Sequence, residues 1–183
     1  MSTLTLPDTT PVKKARALLE KAAPSPIVAH TLRTFHLANA VGKKRALDFD
    51  EEGLALAALF HDLGLCEGHR VPGKPFPIAS SGLLRAELAG QIPDERIGAM
   101  ADAIEQHMQF FPRWSMGPIA GLLQIGAWMD VTGRGRSSIS EEAARIRAEL
   151  PPPNVGWPFW KTVLPTALNP LTCVGYVFPQ LFK

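Results

Sequence analysis

Apolar residues recur at helical spacing along most of this chain, in segments that prolines and glycines separate. This periodicity predicts helices that start near Pro11, Ile27, Asp50, Ser80, Pro93, Ser115 and Ser140. Strict alternation of apolar and polar residues, the pattern of a half-buried β-strand, never continues for more than a few positions. We therefore expect an all-α fold, a bundle of helices.

Serines stand where three of these helices are predicted to start. A serine side chain can accept a hydrogen bond from a free backbone N–H group in the first turn of a helix. Ser25 is followed by Pro26, and proline is favourable at the first helical position. Ser80 or Ser81 is placed to cap the fourth helix, and Ser115 to cap the sixth. We expect a serine N-cap at each of these starts.

The third predicted helix is strongly apolar from Leu54 to Phe60 and ends in His61 followed by Asp62. Burying an unpaired carboxylate costs several kcal/mol, so the expected partner of Asp62 is a metal ion or another cation. The histidine and the aspartate offer one nitrogen and one oxygen to a divalent ion. This pair is the first candidate for a metal site.

Two further residues complete a candidate set of metal ligands. His30 lies within the second helix, and Asp130 ends the sixth, which is apolar on almost every side. With His61 and Asp62 they form a His₂Asp₂ set, which suits Zn²⁺, Fe²⁺ or Mn²⁺ and leaves a position for water. His36 is rotated from His30 by about 120° around the helix. We expect His36 to pack or to face solvent, and not to bind the same ion.

Length, charge and cysteine content are those of an ordinary globular protein. The 183 residues suit a single domain, residues 1–183, with the metal-binding part at about 25–135. A net charge of +2 does not indicate nucleic-acid binding, and Cys66 and Cys173 are expected to be reduced. The start of the chain lacks the features of a signal peptide, and no apolar run approaches the ~20 residues of a membrane span. We expect a cytoplasmic protein that acts on a small molecule.

The last segment, residues 151–183, is apolar, is broken by prolines, and contains Trp157, Phe159, Trp160 and Phe178. Such side chains need to be covered. Packing against the helical body is the simplest arrangement. The alternatives are a contact between two subunits of a homo-oligomer, a lid over the pocket, and contact with a membrane surface.

The ordered set His30, His61, Asp62 and Asp130, in these helical contexts, resembles the metal-binding signature of the HD-domain superfamily. The resemblance covers roughly residues 25–135. It implies a bundle of helices around a divalent metal ion that these four side chains bind. Zinc is the first candidate, with iron and manganese as alternatives.

Within that superfamily the chain looks most similar to the cyanamide hydratase group. Residues 30–35 (HTLRTF) are similar to the motif His-Ser-x-Arg-Val-Phe/Tyr, and residues 103–107 (AIEQH) to Ala-Ile-x-x-His. Residues 126–135 (GAWMDVTGRG) are similar to Gly-Ala-x-x-Asp-Val-x-Gly-Arg-Gly. Residues 76–82 lack the acidic residues of the group, and residues 108–109 (MQ) replace a common Thr-Ser pair. These departures concern the substrate and leave the ligand set intact.

The resemblance implies an enzyme that adds water to a small polar molecule, with a nitrile such as cyanamide as the first candidate. A bound metal lowers the pKa of its water toward ~7. His107 is expected to pass a proton near the metal, and the alternative is a structural histidine at the end of a helix. Arg33, one helical step from His30, is expected to orient substrate or to hold a ligand carboxylate, and the alternative is a buried structural ion pair.

Two other functions are open. HD-domain proteins frequently hydrolyse phosphate esters such as nucleotides, a reaction that needs cations around the transferred group. Arg33, Lys74 and Arg113 could supply the cations, and His69 with His107 could recruit a second metal ion. The acidic residue that often follows the His-Asp pair in HD nucleotidases has no counterpart here. The other function is a non-catalytic, metal-binding scaffold or sensor.

Overall fold

The computed structural model describes residues 4–152, and these residues form helices, short 3₁₀ turns and loops without a β-strand. The helices are α1 (Thr10–Ala22), α2 (Ser25–Lys44), α3 (Glu51–Phe60), α4 (Phe76–Leu88), α5 (Asp94–Gln106), α6 (Pro118–Thr132) and α7 (Ser140–Glu149). The predicted all-α fold is confirmed. No helix in this part of the chain has both the length and the apolar character needed to cross a membrane. The aromatic tail and Cys173 lie outside the described residues.

The predicted serine caps are wrong at all three helices. α2 begins at Ser25 itself, α4 begins at Phe76, well before Ser80 and Ser81, and Ser115 lies in a 3₁₀ turn that precedes α6. None of these three helices has a side-chain cap, but each has a proline at one of its first two positions. Proline has the helical φ angle built in and no N–H group to satisfy, so it can start a helix without a cap.

α3 is the most enclosed helix among the described residues. The carboxylate of Asp50 caps it by accepting a hydrogen bond from the N–H of Gly53 at 2.9 Å. Every residue from Gly53 to Phe60 is buried, because α1, α2, α5 and α6 all pack against this helix. Its C-terminal end therefore places His61 and Asp62 in the interior of the protein.

α2 packs more extensively on α6 than on any other helix among the described residues. A Cβ atom at Gly126 of α6 would lie 2.3 Å from the carbonyl oxygen of Thr34 and 2.9 Å from the Cβ of Ala38, both on α2. Glycine thus allows the two backbones to touch. One turn further along α6, this close approach brings Asp130 within hydrogen-bonding distance of His30.

Replacing Gly126 with alanine should lower the free energy of unfolding by about 1–3 kcal/mol, the usual cost of an added methyl group in a packed core. The added Cβ must push α2 away from α6. Denaturant titration followed by circular dichroism measures the change. Gly82→Ala is the matched control, because nothing lies within 4 Å of a Cβ added at Gly82 in α4. The control should be neutral or slightly stabilising, and equal stabilities of the two variants would contradict the close approach.

Candidate metal centre

Three of the four predicted ligands meet in the interior, where the end of α3 faces α2. The Nε2 atoms of His30 and His61 are 3.4 Å apart. The Oδ2 atom of Asp62 lies 3.6 Å from the first nitrogen and 3.3 Å from the second. Each of these residues is at most 3% exposed. One potential ligand atom of each residue therefore lies within 4.8 Å of the other two.

The carboxylate of Asp62 is the unusual group of this cluster. Its Oδ2 atom is buried and has no hydrogen-bond partner. Burial raises the pKa of this carboxyl group above its ordinary value, since the charged form is desolvated. Two imidazole nitrogens and one carboxylate oxygen are a donor set for a divalent ion such as Zn²⁺. The residues thus fit a divalent cation, which would give this buried carboxylate oxygen a partner.

A backbone carbonyl fixes the protonation of His61. The Nδ1 atom of this ring lies 2.7 Å from the carbonyl oxygen of Ala58. A carbonyl only accepts, so Nδ1 carries the proton and Nε2 keeps a free lone pair on the side of Asp62. Burial lowers the pKa of His61 to about 3, so the ring is neutral at pH 7. A neutral imidazole is the form that binds metal ions.

Asp130 lies on the other side of the His30 ring from the cluster. Its Oδ2 atom is 2.8 Å from Nδ1 of His30, whereas Nε2 of that ring faces His61 and Asp62. Arg33 donates two hydrogen bonds to the same carboxylate, from Nε at 2.6 Å and from Nη2 at 2.9 Å. Burial acts to raise the pKa of Asp130, but the hydrogen bonds from His30 and Arg33 outweigh it and hold the pKa at about 2. In this arrangement the carboxylate orients His30, and its role as a direct metal ligand stays a prediction.

His107 lies beside Asp62 and His61, at the C-terminal end of α5. Its Nε2 atom is 3.8 Å from Oδ1 of Asp62, and its ring meets that of His61 edge-on with the centres 5.0 Å apart. Nδ1 of His107 donates to the carbonyl oxygen of Ile104 at 2.6 Å. Burial lowers the pKa of His107 to about 4. His107 is therefore neutral at pH 7, and its free Nε2 atom can accept a proton beside the cluster.

His36 does not join the cluster. It is buried on another face of α2, and its ring packs edge-on against Phe35 with the centres 4.9 Å apart. Burial lowers the pKa of His36 to about 4. His36 therefore packs inside the protein. This is one of the two predicted alternatives for His36, the other being exposure to solvent.

Sequence reasoning missed the residues that hold the chain just after Asp62. The Oγ atom of Ser80 is buried and accepts a hydrogen bond from the N–H of Gly64 at 2.8 Å. A Cβ atom at Gly64 would lie 2.3 Å from the carbonyl oxygen of Phe76, so only glycine allows this contact with α4. The glycine two residues after Asp62 is visible in the sequence, but its serine partner has no local signal.

The sequence was compared with known proteins and protein families. A search of curated proteins finds no match. The family model described as HD domain matches residues 27–146, which is more than half of the 183 residues. The matched stretch runs from α2 into α7 and includes the whole His30, His61 and Asp62 cluster together with Asp130. The chain therefore belongs to the HD domain family.

Proposed function

We propose that this protein is a metal-dependent enzyme that activates water for addition to a small, uncharged polar substrate, with the nitrile cyanamide as the first candidate. Membership of the HD domain family supports the coarser statement, a metal-dependent, hydrolase-like module. The observation that carries the proposal is the enclosed cluster of His30, His61 and Asp62, in which one carboxylate oxygen has no partner.

In this proposal Nε2 of His30, Nε2 of His61 and Oδ2 of Asp62 hold the ion. Zinc is the first candidate because nitrogen and oxygen donors suit it, and iron and manganese are the alternatives. When bound, the ion supplies Lewis acidity and lowers the pKa of a water molecule to about 7. Asp130 keeps the His30 ring in place through Nδ1, and Arg33 keeps Asp130 in place.

His107 is proposed to move the proton. Its Nε2 atom is unprotonated at pH 7, and it lies beside Asp62, where water and substrate would meet. Addition of water to a nitrile forms a bond from the water oxygen to the nitrile carbon, breaks one carbon–nitrogen π bond and transfers a proton to the nitrile nitrogen. The product then tautomerises to the amide, which is urea when the nitrile is cyanamide. A neutral histidine can take that proton from the water and return it to the nitrogen.

The charges around the cluster favour an uncharged substrate over a phosphate ester. Phosphoryl transfer requires cations that are free to contact the phosphate oxygens. Among residues 4–152, Arg33 is the one arginine or lysine in ion-pair contact with Asp62 or Asp130. Its guanidinium group is already bound to Asp130 and to the carbonyl oxygens of Leu150 and Pro151, at 3.4 and 3.3 Å.

The two other cations considered for phosphate chemistry belong to loops. Lys74 is exposed in the loop before α4, and Arg113 belongs to the loop between α5 and α6. Neither His69 nor His107 belongs to a candidate ligand group, since the described residues contain one such group, His30 with His61 and Asp62. A site for a second metal ion therefore has no support in the described part of the chain.

His61→Ala should remove the ion, because it deletes a nitrogen that the proposal places in contact with the metal. Elemental analysis of the purified variant measures metal per chain. His36→Ala is the matched control and should keep the ion, since His36 packs against Phe35 away from the cluster. Asp130→Asn should weaken metal binding by about 10–100-fold, the usual effect of losing an orienting partner. Full metal content in His61→Ala would contradict the proposed ligand set.

The wild-type protein should contain one divalent ion per chain and should release urea from cyanamide. The same metal-loaded sample should release no inorganic phosphate from a panel of nucleotides. Phosphate release together with two ions per chain would reverse the choice of reaction. A bound ion without turnover of either substrate class would identify a non-catalytic metal-binding module.

His107→Gln should lower kcat about 10²–10⁴-fold, the usual contribution of a general acid–base group, while the metal content stays at the wild-type level. Glutamine retains a polar side chain of similar length but cannot take up the proton. Steady-state kinetics and elemental analysis on one preparation separate the two effects. An unchanged kcat would assign His107 a structural role, and loss of the ion would make it a ligand.

A further inference from the structure

The loop between α5 and α6 exposes an unusual group of large apolar side chains. Among the described residues, the exposed large apolar side chains are Val71, Phe110, Phe111, Trp114 and Met116. All of them except Val71 fall within residues 110–116, and Phe111 is the most exposed at 66%. A contiguous exposed apolar patch commonly marks a surface that contacts something else.

Arginines stack on these aromatic rings. The guanidinium carbon of Arg134 lies 4.8 Å from the ring centre of Phe110 and 5.6 Å from that of Phe111. The guanidinium carbon of Arg45 lies 5.3 Å from the ring centre of Trp114. Neither arginine forms an ion pair with an acidic residue in the described part of the chain. Their charges are therefore available to an external anion.

The two stacks lie on the same side of the molecule. Arg45 and Arg134 both border a depression of ≈ 170 Å³, which Pro112 and Trp128 also line and to which no acidic residue contributes. We call Phe110, Phe111, Trp114 and Met116, with Arg45, Arg113 and Arg134, the aromatic–arginine surface. It combines exposed apolar rings with positive charge.

The fold holds this surface in place. The ring of Trp114 lies directly on Gly121 of α6, where an added Cβ would be 2.4 Å from the ring. The side chain of Gln124 donates to the carbonyl oxygen of Gln109 at 2.8 Å, and Nη1 of Arg134 donates to that of Phe110 at 3.0 Å. The rings are thus presented to solvent by a supported loop and are not free to fold back on the protein.

We propose that the aromatic–arginine surface docks the protein on an anionic lipid membrane, as a peripheral contact separate from the metal centre. Arginines near a membrane surface attract anionic head groups, and exposed aromatic rings enter the interfacial region. Aromatic and arginine side chains both suit that region, because each combines an apolar body with a polar or charged end.

A second copy of the chain and a different protein partner fit the aromatic–arginine surface less well than a membrane does. A second copy of the chain docked on the same surface by twofold symmetry would set arginines against arginines. A standard protein interface takes about 20–30 residues from each partner, and this surface comprises only a handful. Reversible docking on a charged membrane does not need an interface of that size.

Sedimentation of the full chain with vesicles tests the proposal. The wild-type protein should sediment with vesicles of phosphatidylcholine and phosphatidylserine, bind weakly to phosphatidylcholine alone, and be released by high salt. Arg45→Gln should lower the partition coefficient about fivefold, and the double variant with Phe111→Ser should lower it more than tenfold. Both side chains are exposed, so circular dichroism should show unchanged folding.

Val71→Ser and Arg85→Gln are the matched controls, an exposed apolar residue and an exposed arginine outside the surface. Both should bind as the wild type does. Equal binding to neutral and anionic vesicles would overturn the proposal. So would anionic binding that the double variant retains, since another part of the chain would then carry it. A dimer that Phe111→Ser dissociates would assign the surface to a second copy, and binding of a glutamate-rich peptide without vesicles would assign it to an acidic protein.

Discussion

A carboxylate buried without a neutralising partner is the constraint on which the centre of this molecule depends. α3 is buried from Gly53 to Phe60, and the Asp62 side chain that follows it is almost completely buried as well. The nearest groups are the imidazoles of His30, His61 and His107, and burial favours the neutral form of the last two. A cation that binds only the folded chain would stabilise the fold in proportion to the logarithm of its concentration over its dissociation constant. Under the proposed function, folding and metal binding would therefore be linked.

A second layer of contacts aligns the groups around that carboxylate. Gly126 lets α6 touch α2, and the contact sets Asp130 behind the imidazole of His30. Arg33 binds both oxygens of Asp130 and so prevents the carboxylate from rotating. The position of one ring nitrogen at the metal centre is thus determined by the distance between two helices.

The sequence predicted the helices well, because the spacing of apolar residues along a helix is a local property. It predicted the starts of five helices to within two residues, but it missed the starts of α4 and α6 by three or four residues. Ser80 reads as an N-cap, yet its hydroxyl group binds Gly64, far away in the chain, and no local pattern reveals such a contact. The cluster of His30, His61 and Asp62 could be predicted, since polar residues on apolar helices need partners inside the protein. The sequence could not predict which nitrogen of His30 would face Asp130, because this depends on how closely α2 and α6 pack together.

The guanidinium group of Arg33 reaches beyond the metal centre, since its Nη1 atom also donates to the carbonyl oxygens of Leu150 and Pro151. The chain just after α7 is thereby tied to the same side chain that steadies Asp130 and, through it, His30. A shortened protein that ended before residue 150 would lose both acceptors, and the guanidinium group would be free to shift. Deletions near the end of the helical body are thus equivalent to remote mutations of the candidate metal centre, although they remove none of the proposed ligands.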